Sequence, residues 1–382
     1  MPDLKSILNN ESSAYLRDLE TLVNIDCGTH SKAGVDRVSA YLRERFRDSG
    51  AAVQEFPQEQ YGDMFYARWT ARGKARIFLI GHLDTVYLDG SAAEHPFRKR
   101  GNFAHGCGVI DMKSGVLNAL YAVRALRQSG FENLAEIGMF CNTEEEIGSP
   151  VSSRLYPQFV RGAAAALVLE PARANGAVVS ARKGVGTYVV TVRGKSAHAG
   201  VEPEKGANAI VALAQMIAQV KELNGLREGL TVNVGTIRGG IARNVVPDFA
   251  EVGLDVRVVR AADAAPLEHA LREIVAREFG PGTHAELRGE ISKPPMERNA
   301  ATEELLALAR DAARQVGFEL HDVATGGGSD GNYTAALGVP TLDGLGPIGG
   351  KAHNAAEEYL ELDSFVPRAA MLAGLIRRIA DG

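Results

Sequence analysis

The sequence predicts an α/β protein: a mixed, mostly parallel sheet flanked by helices, with a smaller βαββαβ domain inserted into it. Two observations predict this fold. Short apolar runs such as Ile77–Ile80 are continuous instead of alternating, which is typical of strands buried on both faces of a parallel sheet. These runs alternate with longer segments whose apolar residues recur every three or four positions, as in helices that cover a sheet.

The elements of the main domain lie on both sides of the insertion. Residues 12–50 have the apolar spacing of two helices, and residues 86–104 are polar and irregular, which predicts a loop. Asp111 is expected to open a helix that runs to Gly130. The expected strands are Ala51–Phe56, Met64–Trp69, Ile77–Ile80, Ala135–Asn142 and Ala163–Leu169, and the expected C-terminal helices are Thr302–Gly317 and Ser364–Ile379.

The pattern changes at Gly184. Strands are expected at 185–192, 230–237, 250–259 and 284–289, and helices at 207–223 and 266–279. This order, βαββαβ, is that of a small ferredoxin-like sandwich. We therefore predict a main domain formed by residues 1–183 and 293–382, and an inserted domain formed by residues 184–292.

Length and composition limit the class of protein. At 382 residues the chain is long enough for two domains, and 45% hydrophobic and 23% charged residues are ordinary for a globular protein. A formal net charge of −5 offers no basic surface for nucleic acid or an anionic membrane. The three cysteines have no zinc-binding spacing and indicate a reducing compartment. With no signal-peptide pattern and no apolar run of about 20 residues, a cytoplasmic protein is expected.

Acids and histidines follow the predicted strands. His82 and Asp84 come after the Ile77–Ile80 strand at a spacing of two, which points both side chains the same way. Alone, this pair fits a surface histidine beside a helix-capping aspartate equally well. Glu144–Glu146 and Glu170 follow the next two strands, however, and this repetition favours a site at the carboxyl edge of the sheet.

These side chains form a set of nitrogen and oxygen ligands. Imidazole with carboxylate suits zinc, with manganese or cobalt as alternatives, and the lack of thiolates argues against a closed structural zinc site. The set is too large for one tetrahedral ion with an open position. It suits two ions about 3.5–4 Å apart that share one carboxylate, with one glutamate left over as a base. The candidate ligands are His82, Asp111, Glu145 or Glu146, Glu170 and His353.

The motifs around these residues resemble those of the dinuclear-zinc metallopeptidase family of glutamate carboxypeptidases, aminoacylases and succinyl-diaminopimelate desuccinylases. The bacterial glutamate carboxypeptidases are the most similar. The resemblance covers essentially the whole chain and implies a zinc-exopeptidase-like main domain. It is carried by GHLDTV, GCGVIDMKSG, NTEEEIGS, LEP, GKSAHAG, NVVPD, TGGGSD and HNAAEEY.

The resemblance implies a role for each residue of the metal site. His82 and Glu170 would hold one zinc ion and Glu146 and His353 the other, with Asp111 bridging both. Asp84 would orient His82. Glu145 would be the general base, since the family pattern EExG matches residues 145–148. Glu144 falls outside that pair and is expected to support the turn.

The resemblance also implies that the inserted domain is a lid that pairs two subunits. His198 would reach the neighbouring subunit's site and stabilise the oxyanion, although its sequence alone would suggest a surface histidine. Asn244 and Arg257 would line the substrate cleft. Lys293 replaces an arginine that often binds the substrate carboxylate in related enzymes, and lysine binds only as a point charge. Ser329 would lie near the substrate, after a glycine run that lacks the P-loop ending.

Cys107 departs from the family pattern, in which proline or arginine is usual. It is either a buried small residue, which we favour, or a thiol near the metal ions.

The expected function is metal-dependent hydrolysis of an amide bond in small peptides or N-acyl amino acids with a free carboxylate, with C-terminal glutamate as the first expectation. An aminoacylase or another small-amide deacylase of the same fold is the alternative. A non-catalytic binding protein is disfavoured because the ligands and the base are all present. The expected partners are a small-molecule substrate and a second copy of the chain, with no nucleic acid or membrane.

Overall fold

The computed structural model describes residues 3–382, which form two compact units. The first unit comprises Met1–Ala181, Arg298–Thr325 and Ser329–Gly382, and the second comprises Arg182–Glu297 and Gly326–Gly328. No helix within residues 3–382 is long and apolar enough to cross a membrane.

The helices and strands are numbered in chain order. The helices are α1 Leu4–Val23, α2 Lys32–Asp48, α3 Ser91–Glu94, α4 Ser114–Gln128, α5 Ser152–Val160, α6 Ala209–Glu222, α7 Ala264–Val275, α8 Ala300–Val316, α9 Gly331–Ala336 and α10 Phe365–Asp381. The strands are β1 Ala52–Phe56, β2 Met64–Thr70, β3 Arg76–His82, β4 Arg98–Arg100, β5 Phe103–His105, β6 Glu136–Asn142, β7 Ala165–Val168, β8 Val178–Arg182, β9 Gly184–Arg193, β10 Thr231–Gly239, β11 Phe249–Val258, β12 His284–Lys293, β13 Asp322–Thr325, β14 Thr341–Leu342, β15 Gly349–Gly350 and β16 Tyr359–Glu361.

The first unit is built on a six-stranded mixed sheet with the order β1-β2-β6-β3-β7-β14. Strands β6, β3, β7 and β14 run parallel, whereas β1 and β2 form an antiparallel edge. This confirms the predicted fold class. Because β3 lies between β6 and β7, its carboxyl end is flanked by the carboxyl ends of two parallel neighbours.

Strand β3 is buried on both faces, as its continuous apolar run predicts. Ile77 and Leu79 pack into one cluster with residues of α1, α4 and α10, whereas Phe78 and Ile80 pack into another with Tyr156 of α5. Each of these side chains contributes roughly 1.5–3 kcal/mol through its burial. The strand is thus a fixed base for the residues that follow it.

The second unit has the predicted βαββαβ order. Its four strands form an antiparallel sheet with the order β10-β11-β9-β12, which leaves β10 and β12 at the edges. Alternate residues of β11 are buried, and they pack with α6 and α7 into one apolar cluster. A sheet with one covered face accounts for this alternation.

Several local predictions were wrong. Residues 86–104 are not a plain loop, because they contain α3, β4 and most of β5, and β4 and β5 form a small sheet with β15 and β16. The last strand of the second unit extends to Lys293, and the pair β8 and β13 has no clear signal in the sequence. Asp111 does not open a helix. Its backbone is extended, at φ −116° and ψ 96°, it precedes a cis peptide bond, and α4 begins at Ser114.

Candidate metal centre

The ends of three neighbouring strands bring together most of the candidate ligands. His82 is the last residue of β3, Glu145 and Glu146 follow β6, and Glu170 follows β7. His82, Glu145 and Glu170 offer ligand atoms that all lie within 4.8 Å of one another, and so do His82, Asp111 and Glu146. Parallel pairing therefore builds the site, as the sequence predicts.

Asp111 lies between two histidines that are far apart in the chain. Its Oδ1 is 3.1 Å from His82 Nε2, and its Oδ2 is 3.3 Å from His353 Nε2. His82 Nε2 is also 3.7 Å from Glu170 Oε1, and His353 Nε2 is 3.4 Å from Glu146 Oε2. The residues thus form two histidine–glutamate pairs that share one aspartate.

A buried carboxylate that the sequence analysis missed holds Asp111 in place. Glu358 accepts hydrogen bonds from the backbone N–H groups of Gly108, Ile110 and Asp111 at 2.8–3.1 Å and from the Tyr87 hydroxyl at 2.6 Å. These bonds hold the segment that leads into α4 in an irregular conformation, and α4 begins only at Ser114. Glu358 belongs to the HNAAEEY motif, but nothing in that motif indicates where its side chain points.

Asp84 connects His82 to the two glutamates. It is fully buried, and its Oδ1 is 3.4 Å from His82 Nδ1. Its carboxylate also accepts hydrogen bonds from the Thr29 hydroxyl at 2.7 Å and from the N–H groups of Glu145 and Glu146 at 3.2 Å. Asp84 thereby fixes both the histidine ring and the turn that carries the glutamates.

Glu144 faces away from this arrangement. Its carboxylate accepts hydrogen bonds from the N–H groups of Val151 and Ser152 at 2.7 and 3.2 Å and from the Ser152 hydroxyl, at the start of α5. This is the turn-supporting role that the sequence predicts.

The backbone at Glu170 is held by a buried arginine. Gly346 N–H donates to the Glu170 carbonyl at 2.9 Å, and Arg368 donates to the carbonyls of Gly346 at 2.9 Å and Gly344 at 2.5 Å. Burial lowers the pKa of Arg368 to about 9. Arg368 lies in the first turn of α10, so the sequence pattern suggests only a helix residue, and its role was missed.

The site concentrates negative charge. Burial, followed by the nearby charge of Asp111, raises the pKa of Glu170 well above its usual value. Burial opposes ionisation of Asp111 too, but the hydrogen bonds with His353 and His82 outweigh it and lower its pKa. Hydrogen bonds with Asp111 and Glu146 raise the pKa of His353 to about 10. The carboxylates of the site thus carry more negative charge than two imidazoles can balance, so further positive charge would stabilise the site.

The donor set fits a divalent metal ion. A tetrahedral ion with bonds of about 2.0–2.2 Å holds its ligand atoms about 3.3–3.6 Å apart, and the nitrogen–oxygen distances here are 3.1–3.7 Å. Glu146 Oε1 is buried, and no group within residues 3–382 donates a hydrogen bond to it. An orphaned carboxylate oxygen beside a histidine is an atom that a metal ion would satisfy.

His353 occupies its place at a conformational cost. Its φ is +67°, in the left-handed region that favours glycine, and its side chain is 53% exposed. Lys351, two residues earlier, has a φ of +60°. The turn between β15 and β16 thus presents the imidazole to Asp111 and Glu146 from the open side of the site.

The other predicted residues lie mostly in the second unit. His198 is exposed, and its segment pairs with that of Asn244, whose carbonyl accepts the Ala199 N–H at 3.0 Å. Arg257 forms two hydrogen bonds of 2.8 Å with Asp255. The remaining two residues, Lys293 in the second unit and Ser329 in the first, are both buried.

Two further side chains are packed and inert. The Ser329 hydroxyl donates to Asp343 Oδ2 at 2.5 Å. Cys107 is buried, and that burial raises the pKa of its thiol to about 11. Since the thiolate is the reactive form, Cys107 is a packing residue, as the sequence analysis favours.

Comparison with known proteins identifies the family. The model of peptidase family M20/M25/M40 matches residues 78–378. The chain belongs to this family. The prediction made from the motifs is confirmed, and with it the assignment of the chain as a metal-dependent enzyme that hydrolyses amide bonds.

The similar proteins span nearly the whole chain. Carboxypeptidase G2 of Pseudomonas sp. (strain RS-16) is 29% identical over 377 residues, covering 98% of this chain and 91% of that protein. Aminoacylase-1A of Rattus norvegicus is 26% identical over 358 residues, covering 87% and 85%. Aminopeptidase PepT of Bacillus cereus has the same fold, with a TM-score of 0.79 at 24% identity, covering 97% and 99%.

A second solved structure has the same fold. The YXEP protein of Bacillus subtilis, described as a dinuclear metal binding peptidase of the M20 family, matches with a TM-score of 0.73 at 16% identity. The match covers 98% of this chain and 99% of that one. At this identity the likeness concerns the fold.

The shared position of Asp111 leads to a prediction about metal content. Asp111→Asn should remove more bound metal than His353→Ala, because Asp111 contacts both histidine–glutamate pairs and His353 contacts only one. Elemental analysis of the purified proteins measures this difference. Glu94→Gln, which neutralises an exposed carboxylate, is the control and should retain the wild-type metal content. Equal losses in both variants would contradict a shared ligand.

Proposed function

We propose that the enzyme cleaves the amide bond that precedes a C-terminal amino acid, in small peptides or N-acyl amino acids, as a glutamate carboxypeptidase does. The observation that carries this proposal is the position of Asp111 between two histidine–glutamate pairs. The similarity to carboxypeptidase G2 over most of both chains supports the substrate class. The similarity to aminoacylase-1A supports a deacylase as the second candidate.

We assign two zinc ions to the site, with manganese or cobalt as alternatives. His82 and Glu170 would hold one ion, and Glu146 and His353 would hold the other. Asp111 would contact both ions. The distances between the atoms of these residues agree with this assignment. When bound, such ions polarise the amide carbonyl and lower the pKa of water. Asp84 keeps His82 oriented for this task, because its carbonyl oxygen lies 3.0 Å and its carboxylate 3.4 Å from His82 Nδ1.

Glu145 is proposed as the general base. It lies with His82 and Glu170, and its backbone is fixed by the bond from its N–H to Asp84. The carboxylate would take a proton from the attacking water and deliver it to the leaving nitrogen. His198 of the second unit would donate a hydrogen bond to the oxyanion that develops on the carbonyl.

The substrate carboxylate is assigned to Lys293. Arg257, a second cation of the same unit, forms two hydrogen bonds of 2.8 Å with Asp255 and would line the cleft beside it. Asn244, in the same unit, would contribute its side-chain amide to the substrate cleft. Ser329 is proposed to support the glycine-rich turn through Asp343, because its burial leaves its hydroxyl no room for a substrate.

We also propose that two chains associate through the second unit. Its helix α6, its edge strand β10 and the residues just after β10 expose four large apolar side chains, and exposed apolar side chains of this kind are typical of interfaces. They are Ile210, Val211, Ile237 and Ile241, with exposed fractions of 40%, 50%, 63% and 87%. The cytoplasmic location stays a prediction, which the three unpaired cysteines support and cell fractionation would test.

Glu145→Gln tests the assignment of the base. The variant should keep its metal content yet lose about 10²–10⁴-fold in kcat, since glutamine has the same shape but cannot accept a proton. Elemental analysis and steady-state kinetics on the same preparation measure both quantities. Loss of metal in Glu145→Gln but not in Glu146→Gln would reverse the roles of the two glutamates.

Lys293→Ala tests the substrate class. Against dipeptides and N-acetyl amino acids, assayed with zinc, manganese and cobalt, it should raise KM for free acids and spare the matching C-terminal amides. Lys74→Ala, which removes an exposed lysine of the first unit, is the control. If acids and amides are affected equally, Lys293 does not bind the carboxylate. If the wild-type enzyme cleaves none of these compounds, the proposed function is wrong.

A mixing experiment tests the pairing of subunits. His198→Ala and Glu145→Gln should each be inactive, but their mixture should regain activity if each site uses His198 of the partner subunit. A heterodimer then contains one site with both residues intact. A tag pull-down verifies that subunits exchange, and adding Ile241→Glu to both proteins should abolish the recovery. Exchange without recovery would show that His198 does not act across the dimer.

A further inference from the structure

A pocket of about 350 Å³ opens in the first unit beside the candidate ligand Glu146. Its lining comes from three segments, residues 28–31, 85–89 and 146–147. The volume lies at the lower end of the range of about 300–1,000 Å³ that is usual for small-molecule sites, so the pocket suits a single substituent of a substrate.

The walls of this pocket are fixed. Gly28 and Thr85 form a parallel bridge, and Thr29 N–H donates to the Thr85 carbonyl at 3.1 Å. A Cβ atom on Gly28 would lie 2.1 Å from the Tyr87 carbonyl oxygen, so the two segments touch through their backbones. Such close packing means that the pocket exists before a ligand arrives.

The same walls are bonded to the residues that support the metal centre. The Thr29 hydroxyl donates to Asp84, and the Tyr87 hydroxyl donates to Glu358. Glu146, a candidate ligand, lines the pocket itself. A group bound here would therefore lie directly next to the reacting amide.

The solvent-exposed part of the lining contains three large apolar side chains together with two polar ones, His30 and Asp89. Val86, Leu88 and Ile147 are exposed to 42%, 80% and 42%, although large apolar side chains are usually buried. The carboxylates in the lining are those of Asp89 and Glu146, and none of the lining residues described is a lysine or arginine. A carboxylate placed here would lie next to the carboxylates of Asp89 and Glu146, and the described lining offers it the imidazole of His30 but no lysine or arginine.

We propose that this pocket holds the acyl-side group of the substrate and selects an apolar one, such as an aliphatic or aromatic side chain. The inference rests on the proposed function, in which the other end of the substrate carries the free carboxylate. That end needs a strong cation, which Lys293 would supply, whereas the described lining of this pocket has two carboxylates and no lysine or arginine. The remaining part of the substrate is its acyl side. Apolar acyl-side groups fit the lining of this pocket.

A substrate series with a constant C-terminal residue tests the pocket. Leucyl-glutamate, phenylalanyl-glutamate and glutamyl-glutamate differ only on the acyl side. The wild-type enzyme should favour the first two by about tenfold or more in kcat/KM. The ratio between two substrates is measured on one preparation, so it does not depend on the fraction of active enzyme.

Leu88→Lys should reduce this preference by about tenfold, because it places a cation at the apolar rim. Leu337→Lys is the matched control, since Leu337 is exposed in the same unit but does not line the pocket. Binding of leucyl-glutamate and glutamyl-glutamate to the Glu145→Gln variant, measured by calorimetry with and without Leu88→Lys, should show the same change in preference without turnover.

The proposal is wrong if the wild-type enzyme cleaves glutamyl-glutamate as well as leucyl-glutamate. It is equally wrong if the preference of Leu88→Lys stays within about twofold of that of Leu337→Lys. Failure to cleave any dipeptide or N-acetyl amino acid would instead overturn the proposed function. In that event the calorimetric preference still decides whether the pocket selects apolar groups.

Discussion

Four hydrogen bonds to one buried carboxylate determine where the metal centre can form. Glu358 accepts hydrogen bonds from the N–H groups of Gly108, Ile110 and Asp111, and it comes from a part of the chain almost 250 residues away. Bonds of this charge-assisted kind contribute about 1.5–3 kcal/mol each. Without them the segment would lose the contacts that hold its irregular conformation, and Asp111 would no longer be fixed between His82 and His353. The geometry of the site therefore depends on a residue that touches no substrate.

The sheet positions some residues of the site, and irregular segments position the others. The buried strands β3, β6 and β7 deliver His82, Glu146 and Glu170 from a rigid core, where side chains cannot shift without cost. Asp111 and His353 come from irregular segments that a sheet cannot specify. Asp84 and Glu358 fix irregular segments of the site through hydrogen bonds instead. The geometry of the site therefore also depends on residues that the sequence does not mark as functional.

The sequence predicted what depends on short-range pattern. The His82–Asp84 spacing, the continuous run in β3 and the acids after β6 and β7 each follow from local periodicity, and the exclusion of Glu144 followed from the EExG spacing. Glu358, Thr29 and Arg368 were missed because their roles arise from contacts with distant segments. The extended backbone of Asp111 was missed for the same reason, since its local sequence is compatible with a helix. The pocket could not be predicted from the sequence because three separate segments form it.

The backbone of His353 has a consequence for how the protein could change over time. A residue other than glycine at positive φ costs about 1–3 kcal/mol, a large share of the margin by which a domain stays folded. Glycine or asparagine would occupy that turn more comfortably. If only thermal stability were selected, replacement of His353 by glycine or asparagine would be favoured. The resulting proteins would be more stable but inactive. The histidine persists only where catalysis is under selection, so its presence in a sequence of this kind is a sign of a working enzyme.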